Sequence, residues 1–435
     1  MMPPAPTLSP EAKYRLLLTL SQEIGRTLDL QEVLRHLLAT LRTSVAYDAA
    51  GVFVLNRRVP LGQDSAHRLI AGMATVGFDD TPRDEDPMLR QGKGIIGHVV
   101  STGQPVIASD VSQDPHYVQG RVLTRSEIAV PIMISGEVIG ALNLESDMVD
   151  TYAEADLEFL EFFAVAAAIS IEKAIVHLEL VGKHRIEHQL AIAREVQSAL
   201  LPACDPVVPG FEIGGLNIPT WEIGGDYFDY LPEPDGRLAI ALADVSGKGV
   251  PAALLMATFR AALRVQRQID GGVGSTVAAL NRVLLDSMDA SRFVTAVYGV
   301  LAHETGEFDY VNCGHNPPLL LRAGGGCELL PGGGPALGMW DGAGFTACTA
   351  TIDPGDTLVL YTDGVVEVAD AGDCQFGVER LEQVVRDHAG DPVHVAVDAV
   401  VGATRAFSGR PAFDDDFTLV LVRRAPRAAA AGGAR

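Results

Sequence analysis

The chain has 435 residues, 48% of them hydrophobic, and 56 acidic against 33 basic side chains, for a net charge of −23. That length predicts two or three domains with sizeable cores. The acid surplus argues against a duplex nucleic acid or an anionic membrane as partner, because neither attracts a polyanion. The 5 cysteines (Cys204, Cys313, Cys327, Cys348, Cys374) are odd in number and never spaced CxxC, which predicts neither a disulfide framework nor a zinc site and fits a reducing cytoplasm. The opening MMPPAPTLSPEAKYR lacks the basic-then-apolar pattern of a signal peptide, and no apolar run approaches the roughly 20 residues of a membrane span. The expectation is a cytoplasmic protein without membrane insertion.

After a disordered start (1–10), residues 11–180 read as one α/β unit. Two amphipathic helices open it, the second behind a capping-box-like Asp29-x-x-Glu32 with Val33, Leu34, Leu37, Leu38 and Leu41 following. Strand-like runs come at Ala50–Leu55 and Arg68–Thr75, then a polar loop at 79–91, a short helix at Gly94–Val100 and the segment PVIAS. AVPIMISGEVIGALNL predicts a hairpin turning at Ser135-Gly136, and Asp156–Leu178 a long helix. Residues 181–203 read as a helical linker interrupted at Val181-Gly182-Lys183, where glycine costs about 1 kcal/mol relative to alanine. Leu190, Ala193, Val196 and Leu200 form one apolar stripe before Pro202 stops the helix. The stripe serves either to pack a domain or to dimerise a signalling helix.

From 204 to 424 the pattern changes. Strands are predicted at 237–244, 293–302, 307–313, 317–322, 356–361 and 417–423, with helices at Val250–Gln266, Ser275–Met288, Val378–Ala389 and Pro392–Phe407. Strands on both sides of helix pairs predict layered sheets with helices outside. The tail, 425–435, is low-complexity and predicted disordered.

This second domain places aspartates at strand ends in four motifs. They are Asp226 in EIGGDYFDY, Asp244 in ALADVSGKGVPAALL, Asp363 in DTLVLYTDGVVE, and the cluster Asp414-Asp415-Asp416 before FTLVLV. Gly224-Gly225 marks a sharp turn or a close approach of the backbone. Carboxylates packed together repel unless a cation compensates. An all-oxygen set without His or Cys suits Mg²⁺ or Mn²⁺ rather than zinc. Two such ions could share a bridging carboxylate and activate a water against a phosphoryl group.

The set WEIGGDYFDY, ADVSGKGVPAALLM, RFVTAVYGVL, VNCGHNPPLLL, LVLYTDGVVE and DDDFTLVLV, in this order over 211–424, resembles the sporulation and stress-response branch of the PPM-type (type C) serine/threonine phosphatases. The resemblance implies a β-sandwich flanked by antiparallel helix pairs, with two Mn²⁺ or Mg²⁺ ions at one edge. Carried over by motif, Asp226 and the backbone carbonyl of Val245 would hold one ion, Asp244 would bridge, and Asp363 and Asp415 would hold the other. Asp226, Asp244 and Asp363 would act in catalysis through the metal-activated water. The run of three acids leaves the register among Asp414, Asp415 and Asp416 open. Lys248 stands where many members have His. Gly225, Thr295, Asn312, His315, Asn316 and Asp416 would surround the ligands, and each could equally be a structural hydrogen-bonder. The implied substrate is a phosphoserine or phosphothreonine protein, an anti-sigma-factor antagonist.

The first unit is similar to a GAF sensor module on GKGIIGHVVSTGQPVIASDVSQDPHY, SEIAVPIMISGEVIGALNLES and TYAEADLEFLEFFAVAAAISIEKA. The resemblance implies an α/β sensor fold with an unidentified small-molecule or protein signal. The NKFDE-type signature of cyclic-nucleotide binders is absent, and no cysteine precedes position 204 to tether a bilin. AIAREVQSALLP resembles the linker joining such sensors to this phosphatase branch, with homodimerisation as one of its roles. Two rival readings stay open: a GAF-linked nucleotide cyclase using two-metal aspartates, and a non-catalytic pseudo-phosphatase. Three decoys are weaker. Gly224-Gly225-Asp226-Tyr227-Phe228 lacks the glutamate of a cyclic-dinucleotide synthase motif, SGKG lacks the spacing of a P-loop, and Cys374-x5-Arg380 has only the spacing of a cysteine phosphatase.

Overall fold

The computed structural model describes residues 27–55, 70–78, 93–268, 271–288 and 291–426. The first expected helix, the polar loop at 79–91 and most of the tail lie outside the described residues. The chain divides into two compact units, Met1–Ile186 and Glu187–Arg435.

In the first unit, helix α1 (Leu30–Leu41) starts where the capping box places it, with the Asp29 side chain accepting from the Glu32 N–H at 2.9 Å. Strands β1 (Ala49–Leu55), β2 (Ile70–Val76), β3 (Val106–Ala108), β4 (Ser126–Ile134) and β5 (Glu137–Ser146) form an antiparallel sheet in the order β2-β1-β5-β4-β3. The β4–β5 turn is the expected Ser135-Gly136, both residues at positive φ (50° and 85°), as the tight mirror-image hairpin turns require. Side chains alternate across the sheet. Val52, Ile128, Val130, Leu142 and Leu144 meet α1 and the first half of the long helix α3 (Glu154–Ser198). Phe53, Ala129 and Ala141 meet helix α2 (Gly94–Thr102) on the opposite face.

The expected interruption at Gly182 is not observed: α3 runs unbroken for 45 residues through it. The local cost of one glycine is small against the cooperativity of a helix this long. A Cβ at Gly182 would meet no atom within 4 Å.

The second unit holds two five-stranded antiparallel sheets. One is β13-β10-β9-β8-β7, from β7 (Tyr227–Pro232), β8 (Leu238–Val245), β9 (Val294–Ala302), β10 (Glu307–Cys313) and β13 (Cys348–Thr351). The other is β12-β11-β14-β15-β6, from β6 (Phe211–Ile218), β11 (Leu319–Leu321), β12 (Cys327–Leu329), β14 (Thr357–Tyr361) and β15 (Phe417–Arg424). The period of two decides what lies between them. Ile240, Leu242, Val297, Phe308, Leu358, Leu360, Val420 and Val422 fill the space between the sheets. The alternate residues of β8, Ala239, Ala241 and Ala243, face helices α4 (Val250–Gln266) and α5 (Gly272–Ser287). Leu419 and Leu421 of β15 face helices α7 (Gly377–Asp387) and α8 (Val393–Ser408), while a single turn, α6 (Asp363–Val366), follows β14. The result is the layered sandwich with outer helix pairs. Strands β6, β12 and β13 are additions to the expected set, short or glycine-broken in pattern and held by pairing to longer neighbours.

Gly182→Ala adds a methyl group to open space and removes the glycine cost of about 1 kcal/mol. Hydrogen exchange of the amides around 178–186 is expected to slow about fivefold. An unchanged exchange rate would mean that this stretch opens as part of a larger unit.

Candidate active site

Asp226 sits immediately before β7 and is 3% exposed. Its carboxyl is held from the opposite sheet: the hydroxyls of Thr362, after β14, and Thr418, in β15, both donate to Oδ2, the former at 2.8 Å. Asp244, one residue from the end of β8, acts electrostatically on Asp226. Asp226 is thus the point at which the two sheets are joined at this end of the sandwich.

The two glycines before it serve close approach rather than a left-handed turn, since neither has positive φ. A Cβ on Gly224 would lie 2.3 Å from Asp416 Oδ2, and one on Gly225 would lie 2.8 Å from the Val245 carbonyl oxygen. The space is taken by Asp416, whose carboxylate accepts the N–H groups of Thr220 (2.8 Å) and Gly225 (2.7 Å). Gly364 is constrained in the same way, its missing Cβ lying 2.0 Å from the Asp416 carbonyl oxygen. Asp416 is therefore a clamp for the backbone that carries Asp226 and Asp363.

The triple acid now separates into three roles. Asp414 pairs with Arg410 at 2.8 Å on the surface. Asp415 faces Lys248, Nζ to Oδ2 2.9 Å, and acts electrostatically on both Asp244 and Asp363. Asp416 points inward to the backbone amides.

Burial, with mutual repulsion behind it, raises Asp226, Asp244 and Asp363. Desolvation holds the Asp226 carboxyl well above the ordinary carboxylate range, with Asp244 and Asp416 adding to it. Asp244 is pushed up to about 7 by burial and then by Asp363, Asp415 and Asp416. Asp363 is raised by burial and Asp415, against the Gly364 N–H and Lys248. Such a set either takes up protons or takes a cation.

Among the described residues, no three His, Cys, Asp or Glu side chains already surround one point closely enough to cage an ion. Lys248 occupies Asp415, and Asp226 is turned to Asp244 and the two threonines. The donor chemistry nevertheless fits hard divalent cations: carboxylate and carbonyl oxygens only, four acids electrostatically linked, and the Val245 carbonyl against Gly225.

His315 is 8% exposed and bonded at both ring nitrogens, Nδ1 to Thr295 Oγ1 (2.7 Å) and Nε2 to the Tyr361 carbonyl oxygen (3.1 Å). A carbonyl accepts only, so Nε2 carries the proton and Nδ1 accepts from Thr295. Burial lowers the ring pKa to about 4, so the imidazole is neutral. It ties β9, where Thr295 pairs with Asp244, to the strand leading to Thr362 and Asp363. Asn312 closes the same turn, its side chain bonding the His315 N–H (2.8 Å) and carbonyl (3.0 Å). Asn316 is half-buried beside it. These residues build the frame of the site. The cysteine decoy also resolves: Arg380 donates to the Gln375 and Phe376 carbonyls and stacks on Phe407, so it cradles nothing beside Cys374.

Sequence reasoning missed Gln197. Near the end of α3, its side-chain amide makes a two-point pair with Gly224, donating to the carbonyl oxygen (2.7 Å) and accepting the N–H (3.1 Å). Arg260 of α4 also holds the Leu200 carbonyl at 2.7 Å. The helix end is thereby fastened two residues from Asp226. The motif AREVQSALLP contained the signal, but only the fold shows which of its polar residues turns inward.

Residues 27–172 match the family model of the GAF domain, and residues 234–425 match that of stage II sporulation protein E, SpoIIE. The chain carries a GAF domain followed by a SpoIIE-type phosphatase domain with the PP2C fold, a protein phosphatase domain of the PPM type. Phosphoserine phosphatase RsbU of Bacillus subtilis (strain 168) is 27% identical over 245 residues, 56% of this chain and 72% of that protein. Protein IcfG of Synechocystis sp. is 32% identical over 231 residues, 47% of this chain, and the chain spans only 36% of its length. The solved SiaA-PP2C domain of Pseudomonas aeruginosa superposes with a TM-score of 0.50 at 23% identity, covering 56% of this chain and 98% of that one, a likeness of fold. The SpoIIE match begins beyond Asp226, so that residue's place in the site rests on the geometry above.

Gln197→Leu keeps the side-chain volume and removes two hydrogen bonds worth about 1 kcal/mol each. Phosphatase turnover is expected to change by about tenfold with the melting temperature shifted little. Equal turnover in the variant and the parent would show that the pair is only a fastening.

Proposed function

We propose that the protein is a metal-dependent phosphoserine/phosphothreonine protein phosphatase controlled by its GAF domain, and that its substrate is an anti-sigma-factor antagonist. One observation carries the reading. Asp226, buried at the end of one sheet, lies within electrostatic reach of Asp244, which Asp363 and Asp415 approach in turn, and burial, followed by mutual repulsion, raises Asp226, Asp244 and Asp363. The similarity to a phosphoserine phosphatase supports it.

Asp226 and the Val245 carbonyl would hold one Mn²⁺ or Mg²⁺ ion, Asp363 and Asp415 a second, with Asp244 between. Such ions, when bound, supply an activated water and a clamp for phosphoryl oxygens. The chain's own residues do the positioning. Thr362 and Thr418 fix the Asp226 carboxylate, Asp416 locks the glycine pair, and neutral His315 orients the strand end bearing Asp363. Lys248 offsets the charge of Asp415. The helix ending at Gln197 is the element through which the GAF domain acts on this site.

Asp244→Asn removes the shared carboxylate while keeping its shape. Turnover of a phosphoserine peptide is expected to fall by at least about a hundredfold, some 3 kcal/mol in the barrier. Calorimetry should show loss of at least one Mn²⁺. Unchanged Mn²⁺ titration in the variant would remove Asp244 from the site. Hydrolysis of nucleoside triphosphates to cyclic products by the parent would instead favour a cyclase.

The pH dependence has a definite sign. The folded pKa values of Asp226 and Asp244 lie above their unfolded values, so the folded state holds extra protons. In EDTA the stabilisation is complete below about pH 4 and is lost as pH rises through about 7, the folded value of Asp244. Melting temperature in EDTA should therefore fall across that window. Added Mn²⁺ should restore it, most strongly at the alkaline end, with proton release on binding. A flat profile in EDTA would show that the carboxylates ionise freely without metal.

A further inference from the structure

The face of the GAF sheet that meets α2 carries a polar cluster of its own. Glu127 of β4 and Asn143 and Glu145 of β5 point to this face, each about 1% exposed. The Asn143 Nδ2 donates to Glu127 Oε1 (2.9 Å) and to Glu145 Oε1 (3.2 Å). Thr124, 4% exposed, donates its hydroxyl to Glu145 Oε2, and Tyr117 reaches Thr124. Around this group the wall is apolar: Phe53, Ile95, Ile96, Val99, Ala129 and Ala141.

Two buried carboxylates next to one another are costly, and a neutral amide hydrogen between them offsets little of that cost. Burial, then Glu145, push the Glu127 carboxyl up to about 8, with Asp114 acting in the same direction and only Asn143 against it. The groups acting on Glu127 include no cation. A second observation points the same way. Asn143 Oδ1 is buried with no hydrogen-bond donor, lying beside Gly51 and the Phe53 ring. A buried carbonyl oxygen left in this state costs about 1–3 kcal/mol, and it is an acceptor next to two further acceptors. The cluster is acceptor-rich: Glu127 accepts from the neutral Asn143 amide, while Glu145 accepts also from Thr124 and lies within electrostatic reach of Arg121.

From this geometry we propose that the GAF domain binds a small molecule bearing a primary ammonium on an apolar carbon skeleton, with the ammonium received by Glu127, Glu145 and Asn143. A primary ammonium has three N–H donors, which matches one carboxylate from each strand plus the orphaned amide oxygen. The Asn143 side chain would turn about its last torsion, so that Oδ1 replaces Nδ2 in the socket. The skeleton would lie against Phe53, Ile95, Ile96 and Val99. A divalent metal fits less well, since the surrounding wall is hydrocarbon rather than carbonyl and water oxygen. The inference does not depend on what the C-terminal domain dephosphorylates.

The test uses the full chain, n-butylamine as the probe, and 1-butanol as its uncharged counterpart. Ligand-observed NMR and a thermal-shift titration at neutral pH should show saturable binding of n-butylamine, with none for 1-butanol. Glu127→Gln should weaken that binding by about tenfold or more, a loss of about 1.4 kcal/mol. The variant should fold, because glutamine resembles the protonated carboxyl that burial already favours. Circular dichroism and a cooperative thermal melt without amine check this. Absence of saturable amine binding, equal binding of the alcohol, or undiminished binding in folded Glu127→Gln would each overturn the proposal.

Discussion

The second domain depends on one arrangement: a carboxyl group at the end of one sheet held by two hydroxyls from the other. Asp226 enters from the segment before β7, and Thr362 and Thr418 reach it from the facing sheet. Hydrophobic packing alone holds two sheets about 10 Å apart and leaves their sliding only loosely defined. The Asp226–threonine contacts define the register of the two layers at the end where the acids gather. A buried carboxyl without these donors would be strongly destabilising, so correct closure of the sandwich and correct assembly of the site are one event.

Around that contact the protein uses backbone proximity rather than long side chains. Gly224, Gly225 and Gly364 each lack a Cβ where one would collide with Asp416 or Val245. Asp416 then satisfies two backbone N–H groups that no strand partner reaches. Strand ends and clamped loops hold carboxylates far more firmly than free loops do. The remaining electrostatic strain is expressed as raised pKa values, which makes the site respond strongly to whichever cation or proton is present.

The same logic recurs in the GAF domain with a different outcome. There too, strands of one sheet place acids side by side under an apolar cover, but an amide hydrogen stands between them and the shell is hydrocarbon. One cluster faces oxygen-rich, backbone-lined surroundings suited to hard ions, and the other an apolar wall suited to an organic cation. The last turns of α3 present Gln197 to Gly224. A signal could shift that pair only as far as its ligand distinguishes two states of the protein.

Much of this was present in the sequence. The apolar runs in SEIAVPIMI, FTLVLV and ALADV predict strands buried on both faces, bounded by turn and glycine signals. The aspartates at strand ends and the glycines beside them were visible as candidates, since carboxylates packed together need a cation or protons. Short strands such as β12 and β13 were not legible, because their pairing comes from neighbours distant in the chain. Nor was the continuity of α3 at Gly182, where cooperativity over many turns outweighs one residue's preference. Only the folded chain separated Asp414, Asp415 and Asp416 into surface pair, site member and backbone clamp. Three identical side chains in a row have identical local propensities, and what distinguishes them is the partner that tertiary packing brings to each: Arg410, Lys248, and the amides of Thr220 and Gly225.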